Sequence, residues 1–198
     1  MESTENKGLS RQQIARTAVF GALWGVVEVT AGNALHLAKV PFRGVIMALM
    51  AVAILACARR FASYRGSLIL IGAIAATFKA GSMGGFVITP MLAIFAEALI
   101  AESVFTTMGY GRMTSLIAGI LGLLYTFLHG VIMQVFFFGL DIFDVYGNIL
   151  SEISGSDVNI YILMALLGIA HVIAGAAAGL VGFKIGHKTN QILNSELI

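Results

Sequence analysis

Six apolar runs fill most of this chain and are separated by short polar segments. They cover residues 14–38, 40–58, 67–80, 86–108, 113–140 and 158–183. Because apolar residues follow one another instead of alternating with polar ones, each run predicts a helix and argues against a β-barrel. At about 1.5 Å per residue, most runs reach the roughly 30 Å of a bilayer's hydrocarbon core. The pattern predicts an all-α integral membrane bundle of six transmembrane helices.

The ends of three runs carry further signals. Pro41 and Pro90 are expected in the first turns of the second and fourth helices, where a missing N–H costs nothing. The third run, 67–80, is short for a membrane span unless it continues through residues 81–85. That glycine-rich segment is expected to form a flexible turn or a partly re-entrant segment.

The composition supports lipid as the surrounding medium. Of the 198 residues, 59% are apolar and 11% are charged, and the mean hydropathy is +0.93, far from the balance of a soluble domain. Cys57 is the only cysteine, so the sequence predicts neither a disulfide framework nor a thiolate metal site. The net charge is only +2, and the basic residues lie where they would anchor helix ends, so we expect no nucleic-acid partner.

The basic residues are distributed unevenly between the two sides of the predicted bundle. One side carries nine of the twelve Lys and Arg residues, namely Lys7, Arg11, Arg16, Arg59, Arg60, Arg65, Arg112, Lys184 and Lys188. The other side receives Lys39, Arg43, Lys79 and the acidic connection 141–157, which contains no base. By the positive-inside rule, both termini are cytoplasmic and the acidic connection lies outside. The predicted parts are a cytoplasmic N-terminal segment (1–13), a six-helix transmembrane domain (14–188) and a cytoplasmic C-terminal tail (189–198).

Small residues recur at helical spacing on three of the predicted helices. The columns are Ala18, Ala22 and Gly25 on the first helix, Gly72, Ala76 and Ala80 on the third, and Ala170, Ala174, Ala178 and Gly182 on the sixth. In lipid, such columns let helix backbones approach closely. We expect the columns of the third and sixth helices to pack inside the bundle. The column of the first helix is expected either to pack internally, as Gly21 with Gly25 would, or to contact a partner.

A polar stripe runs along the first helix. Trp24, Glu28, Gly32 and His36 are each four residues apart and so share one side. A carboxylate or ammonium near the membrane centre costs about 2.5–3.5 kcal/mol on insertion scales, so such groups should face the bundle interior and have partners. Other polar residues in or beside the predicted helices are Asn33, Arg43, Lys79, Glu97, His129 and His171.

We interpret these polar residues as a binding site that opens to the outside. The predicted wall residues are Trp24, Glu28, His36, Arg43, Lys79 and His129. Arg43 and Lys79 would bind an anionic group of a small-molecule nutrient, while Glu28, His36 and the indole ring would orient the rest. There are structural alternatives: Arg43 can anchor a helix end at the headgroups, and Lys79 can extend outward to the membrane surface. His129 can be a histidine that is only hydrogen-bonded within the bundle.

No enzyme motif occurs in the chain: it has no G-x-S-x-G, no H-E-x-x-H and no glycine-rich phosphate loop. We therefore predict a protein that is not an enzyme and has no cofactor and no resident metal. One alternative is a self-contained membrane protein that binds a porphyrin or metal through His36, His129 and His171, or a small facilitator. Another is a lipid-acting enzyme with Glu97, His129 or His171 beside a lateral opening, although Glu97 with Glu102 can instead serve the cytoplasmic half.

The segment Arg16-Thr-Ala-Val-Phe-Gly-Ala-Leu-Trp-Gly25 resembles the small-residue-rich first helix of the substrate-binding (S) components of energy-coupling factor (ECF) vitamin transporters. The size, the six predicted helices and the cytoplasmic termini are similar to that family over most of the chain. The resemblance implies a prokaryotic protein of the cytoplasmic membrane that captures a vitamin or related micronutrient from outside. It also implies docking through Ala18 and Ala22 on a transmembrane coupling subunit that is driven by two cytoplasmic ATPases.

Two departures limit what the resemblance implies about the substrate. The metal-specific members of that family begin with Met followed by His, whereas this chain begins with Met1-Glu2. Nickel or cobalt bound in that way is therefore disfavoured. The chain also lacks a segment that matches a motif for thiamin, riboflavin, biotin or folate, so the identity of the nutrient stays open.

Overall fold

The computed structural model describes residues 8–82, 88–157 and 159–195, and no strand occurs in these ranges. The described residues form α1 (Arg11–Leu37), α2 (Arg43–Phe61), α3 (Ser67–Ala80), α4 (Ile88–Met108), α5 (Arg112–Phe138), α6 (Ile142–Ser154) and α7 (Ile160–Ser195). The all-helical class that the sequence predicts is therefore confirmed. Of the predicted flexible segment 81–85, residues 83–85 lie outside the described ranges.

Most predicted helix ends agree with the structure to within three residues, and α3 has exactly the predicted bounds. The expectation for Pro41 is wrong, because α2 begins only at Arg43, after Phe42 with a left-handed φ of 56°. Pro90 is the third described residue of α4, and the residues directly before Ile88 lie outside the described ranges. α7 continues to Ser195, so most of the predicted tail 189–198 is helical.

Five of the described helices, α1, α2, α4, α5 and α7, are long and apolar enough to cross a membrane. Large apolar side chains point outward along them: on α7, Ile162, Leu166, Ile169 and Ile173 are each more than half exposed. Such a continuous apolar surface suits contact with lipid and would be unusual in a soluble monomer. The chain is thus a multi-pass α-helical membrane protein. α3, with 14 residues, is shorter and spans about 21 Å.

α2 lies at the centre of the bundle and packs against α1, α3, α4, α5 and α7. α3 is held between α1 and α4, which explains why a short helix is deeply buried. The fully buried core side chains include Trp24, Leu55, Leu68, Ile71 and Phe105. In contrast, α6 contacts only α5 and α7 among the described helices and contains no buried residue.

Glycines bring α7 against its neighbours. A Cβ at Gly175 would meet the carbonyl of Gly119, and a Cβ at Gly179 would meet the carbonyl of Ser115. Because both obstacles are backbone atoms, a larger residue would force α5 and α7 apart. The contact column on α7 therefore differs from the one that the sequence suggested: Ala178 and Gly182 are buried, but Ala170 is exposed.

One end of the bundle collects the basic residues. Arg16 Nη1 donates to the carbonyl of Phe61 at 3.2 Å, which joins the start of α1 to the end of α2. Tyr110, between α4 and α5, approaches Phe183 of α7 with its hydroxyl at 3.5 Å from the carbonyl. We call this the basic end. It carries eight described cations, Arg11, Arg16, Arg59, Arg60, Arg65, Arg112, Lys184 and Lys188, while Lys7 lies outside the described residues.

Candidate ligand-binding cavity

A cavity of about 730 Å³ opens between α1, α2, α3, α4 and α5 at the end of the bundle opposite the basic end. Five of the six side chains predicted to form the site lie on its wall: Glu28, His36, Arg43, Lys79 and His129. They come from four helices, so the structure brings together residues up to 101 positions apart in the sequence. Their role in binding stays a prediction, but they share one space.

The wall residues lie at different depths. Glu28 precedes the end of α1 by nine residues, and Glu97 follows the first described residue of α4 by nine residues. At about 1.5 Å per residue, both lie about 14 Å inside the helix ends. His36 and Arg43 lie at the end of α1 and the start of α2. We call Glu28 and Glu97 the floor of the cavity, and His36 and Arg43 its rim.

On the floor, Glu28 pairs loosely with Lys79. Lys79 Nζ lies 4.0 Å from Glu28 Oε2 and donates a hydrogen bond of 3.1 Å to the main-chain carbonyl of Glu28. Gly32 leaves space for the ammonium, since a Cβ there would lie 3.2 Å from Nζ. An ammonium has three donors, and the described residues accept one hydrogen bond from it. Lys79 therefore has donors left for a ligand.

Trp24 stabilises the Glu28 carboxylate of this pair. The indole ring is fully buried, and its Nε1 donates to Glu28 Oε1 at 3.3 Å. Trp24 is not among the described residues that line the cavity. Its predicted position on the wall is therefore wrong: it holds the carboxylate that does line the cavity.

Lys79 does not extend to the membrane surface. It is only 9% exposed, because α3 ends one residue later at Ala80 and its last turn lies against α1. The short length of α3 thus positions the ammonium inside the bundle. The surface-anchoring alternative for Lys79 is wrong.

Glu97 also lies on the floor, although it was not among the predicted wall residues. The residue is 7% exposed, and Oε1 accepts a hydrogen bond of 3.2 Å from Thr126 Oγ1. No cation lies within 4.0 Å of its carboxylate in the described part of the chain. Glu97 and Glu102 are five residues apart on α4, and the resulting rotation of about 140° directs Glu97 to the cavity and Glu102 to Arg59.

The rim and the α5 wall supply further groups. Arg43 is exposed and makes no hydrogen bond or ion pair with any described residue. On α5, the His129 ring stacks on Tyr125, with ring centroids 5.6 Å apart. Tyr125 and Thr126 are wall residues that the sequence analysis missed. A signal was present, because Tyr125, Thr126 and His129 are spaced to share one face of α5.

His171 is a bundle histidine. It is buried, its Nδ1 lies 2.7 Å from the carbonyl of Leu167, and its ring contacts Phe127 with centroids 5.0 Å apart. It does not line the cavity in the described part of the structure. Within residues 8–82, 88–157 and 159–195, no group of three or more His, Cys, Asp or Glu side chains is placed to hold a metal ion.

A second buried ion pair lies at the basic end. Arg59 lies just beyond the predicted second run (40–58), but it belongs to α2 and is 6% exposed. Its guanidinium bonds to Glu102 Oε1 at 3.1 Å and also to Tyr64 O, Ser67 Oγ and Thr106 Oγ1. Glu102 in turn accepts the backbone N–H groups of Gly66 and Leu68 at 2.8 and 2.9 Å. The pair ties α2, the start of α3 and α4 together.

The small residues of α1 divide between two faces. Gly21 and Gly25 face α3, where an added Cβ would meet Ile74 and Phe78. Ala18 is exposed and lines an apolar groove of about 300 Å³ between α1 and α3. The predicted partner residue Ala18 is therefore not covered by this chain, and Ala22 is half-buried.

No protein-family model, curated protein or solved structure matches the chain. The function proposed below therefore depends on the cavity, on the charges that line it and on the uncovered face of α1.

Proposed function

We propose that this protein is the substrate-binding membrane subunit of an ECF-type importer and captures a vitamin or related micronutrient. The observation that carries the proposal is the cavity of about 730 Å³ with ionisable side chains on its floor and rim. This volume lies in the range of small-molecule sites. Ionisable groups inside a membrane bundle are costly to retain without a functional reason.

The cavity is open on one side, which favours capture over free diffusion. Between its floor and the basic end lie Leu55, Ile71 and Ala98, which are almost completely buried. A packed core in this position leaves a ligand one route in and out within the described bundle. A binding subunit that releases its ligand only after it joins a coupling subunit needs such an arrangement, whereas a facilitator needs a continuous path.

The charge distribution supports an orientation with the cavity outside. Eight described cations lie at the basic end, which the positive-inside rule places in the cytoplasm of a prokaryotic cell. In this proposal both termini are cytoplasmic, and α3 is the sixth crossing. The cavity then faces the medium from which a nutrient is taken up.

The uncovered face of α1 supports a partner. Ala18 and Ala22 are small, and Ala18 borders an apolar groove that no described helix of this chain fills. Small residues allow a helix of another subunit to approach closely in lipid. We propose that a transmembrane coupling subunit, driven by two cytoplasmic ATPases, packs here.

The direct test of ligand capture is mass spectrometry of small molecules that co-purify with the detergent-extracted full chain. We expect one stoichiometric nutrient in the wild type, and strong depletion of it in Glu28→Gln and Lys79→Met. Lys39→Gln is the matched control, because Lys39 is a cation at the same end that does not line the cavity. Wild-type protein that contains no ligand and is stabilised by no candidate nutrient would contradict the proposal.

The docking face needs a separate test. The chain is co-expressed with the coupling subunit and ATPases of its own organism, and the complex is isolated through an ATPase tag. We expect Ala18→Trp to abolish co-isolation and to leave nutrient binding unchanged. Val181→Trp is the control, because Val181 is also exposed but lies on α7. Equal co-isolation of both variants would exclude this face.

A further inference from the structure

The two carboxylates on the cavity floor have different partners. Glu28 has the Lys79 ammonium 4.0 Å away and accepts a hydrogen bond from Trp24. Glu97 has the Thr126 hydroxyl and no cation within the described residues. A carboxylate has about four acceptor positions, so Glu97 retains capacity to accept hydrogen bonds. Since Glu97 lines the cavity, a bound molecule can use it.

The rim carries a cation that lacks a partner among the described residues. Arg43 carries a guanidinium with five donors, and it has no hydrogen-bond or ion-pair partner among the described residues. Its side chain lines the same cavity as Glu97. Among the described residues, the cavity therefore has a carboxylate without a cationic partner on its floor and an unpaired cation at its rim, separated mainly along the bundle axis.

The wall between these two groups is partly aromatic. The rings of Tyr125 and His129 are stacked at 5.6 Å, and both residues line the cavity. Aromatic surfaces favour a planar ring placed against them. A ligand that satisfies floor, wall and rim together would have a different chemical group at each end.

We propose that the captured molecule is amphoteric and planar, with a cationic or N–H-donating nitrogen group on Glu97 and an anionic group on Arg43. This inference rests on the proposed function and specifies the class of nutrient. The ring lies beside Tyr125 and His129. Lys79 remains available for a further acceptor on the ligand, because only one of its donors is used by described residues.

Simple compounds can test the two ends separately. The probes are 4-guanidinobenzoate, which has both groups on one ring, phenylguanidine, which has only the cation, and benzoate, which has only the anion. Binding to the full chain in lipid nanodiscs is measured by isothermal titration calorimetry, with ligand-observed NMR for weak probes. We expect wild-type protein to bind 4-guanidinobenzoate more tightly than either single-ended probe.

Single substitutions at the two ends of the cavity should affect binding of the probes differently. Glu97→Gln keeps the volume and an acceptor for Thr126, so we expect it to fold. It should weaken binding of the two guanidinium probes by about tenfold and leave the affinity for benzoate unchanged. Arg43→Gln should weaken binding of the two carboxylate probes and leave the affinity for phenylguanidine unchanged. The matched controls Glu152→Gln and Lys39→Gln lie outside the lining residues and should change none of the three.

The outcomes distinguish this inference from the proposed function. Equal weakening of all probes by Glu97→Gln, or no millimolar binding of either guanidinium probe to the wild type, would overturn the amphoteric cavity. A co-purified nutrient without a nitrogen donor and an anionic group would also overturn it, but would leave nutrient capture standing. If the three probes bind as expected but the purified protein contains no nutrient, the result would support the charge arrangement of the cavity and count against nutrient capture.

Discussion

Two buried ion pairs lie at opposite ends of the bundle, and they are built differently. Arg59 and Glu102, at the basic end, approach to 3.1 Å and use their remaining hydrogen-bonding groups on the backbone and on hydroxyls. Lys79 and Glu28, on the cavity floor, are 4.0 Å apart, and the ammonium makes one hydrogen bond to described residues. Both pairs have little exposed surface.

We propose that the buried charges serve structure at the basic end and ligand binding on the cavity floor. A guanidinium has a rigid fork that can be satisfied from several directions at once, as Arg59 is. An ammonium is a compact point charge with three donors, and Lys79 presents unused donors to a cavity. We infer that the first pair holds helices together, while the second is kept incomplete so that a ligand can complete it.

The largest expected effect comes from breaking the pair at the basic end. Arg59→Met removes the cation and leaves Glu102 buried, and breaking a buried pair in this way typically costs about 3–5 kcal/mol. We expect the free energy of unfolding, measured by titration with SDS from a fixed mild detergent, to fall by that amount. Arg60→Met, on the neighbouring exposed arginine, is the control. A loss of less than about 1 kcal/mol would show that this pair is not a structural tie.

Double-mutant cycles should sharpen the contrast. For Arg59→Met with Glu102→Gln, we expect a coupling energy of about 2–3 kcal/mol, at the upper end for residues in direct contact. For Lys79→Met with Glu28→Gln, we expect less than about 1 kcal/mol, because the two charges are 4.0 Å apart beside a cavity that admits water. The same unfolding titration supplies both cycles. Equal coupling energies would remove the distinction between the two pairs.

Breaking the pair on the cavity floor should change binding more than stability. For Lys79→Met, we expect the free energy of unfolding to fall by about 1 kcal/mol, because water in the cavity solvates the remaining Glu28 carboxylate. Retention of the co-purified nutrient should fall strongly, since an acceptor group of the ligand loses the Lys79 ammonium. Mass spectrometry of the purified variant measures the second effect. A stability loss as large as that of Arg59→Met, with unchanged nutrient retention, would make Lys79 a structural residue.

The sequence predicts the helices well wherever an apolar run is bounded by glycine or charge. α3 was predicted to the residue, because Gly66 and Gly81 flank an uninterrupted run. α6 was missed, although Ile142, Ile149 and Ile153 recur at helical spacing, since the segment was interpreted only through its acidic residues. Apolar periodicity would have revealed this helix.

The cavity was predicted less completely, because the direction in which a side chain points depends on helix rotation. The spacing of Glu28 and His36 placed both on one stripe, and both lie on the wall. Glu97 was expected to face the bundle interior but was not assigned to the wall, since Thr89, the other polar residue of α4 that lines the cavity, lies eight residues away. The pairing of Lys79 with Glu28 depends on where α3 ends relative to α1, which is a tertiary property.

The smallest effect on stability is expected at the rim, where the comparison between structural and binding charges is most direct. Arg43 is exposed and has no described partner, so Arg43→Gln should change the free energy of unfolding by less than about 0.5 kcal/mol. The same substitution should weaken binding of 4-guanidinobenzoate, because a guanidinium and a carboxylate form a charge-assisted pair. Lys39→Gln removes a cation at the same end of the bundle and should change neither quantity. If Arg43→Gln and Lys39→Gln behave alike in both measurements, Arg43 only anchors the start of α2 at the lipid headgroups, and the binding charges are confined to the cavity floor.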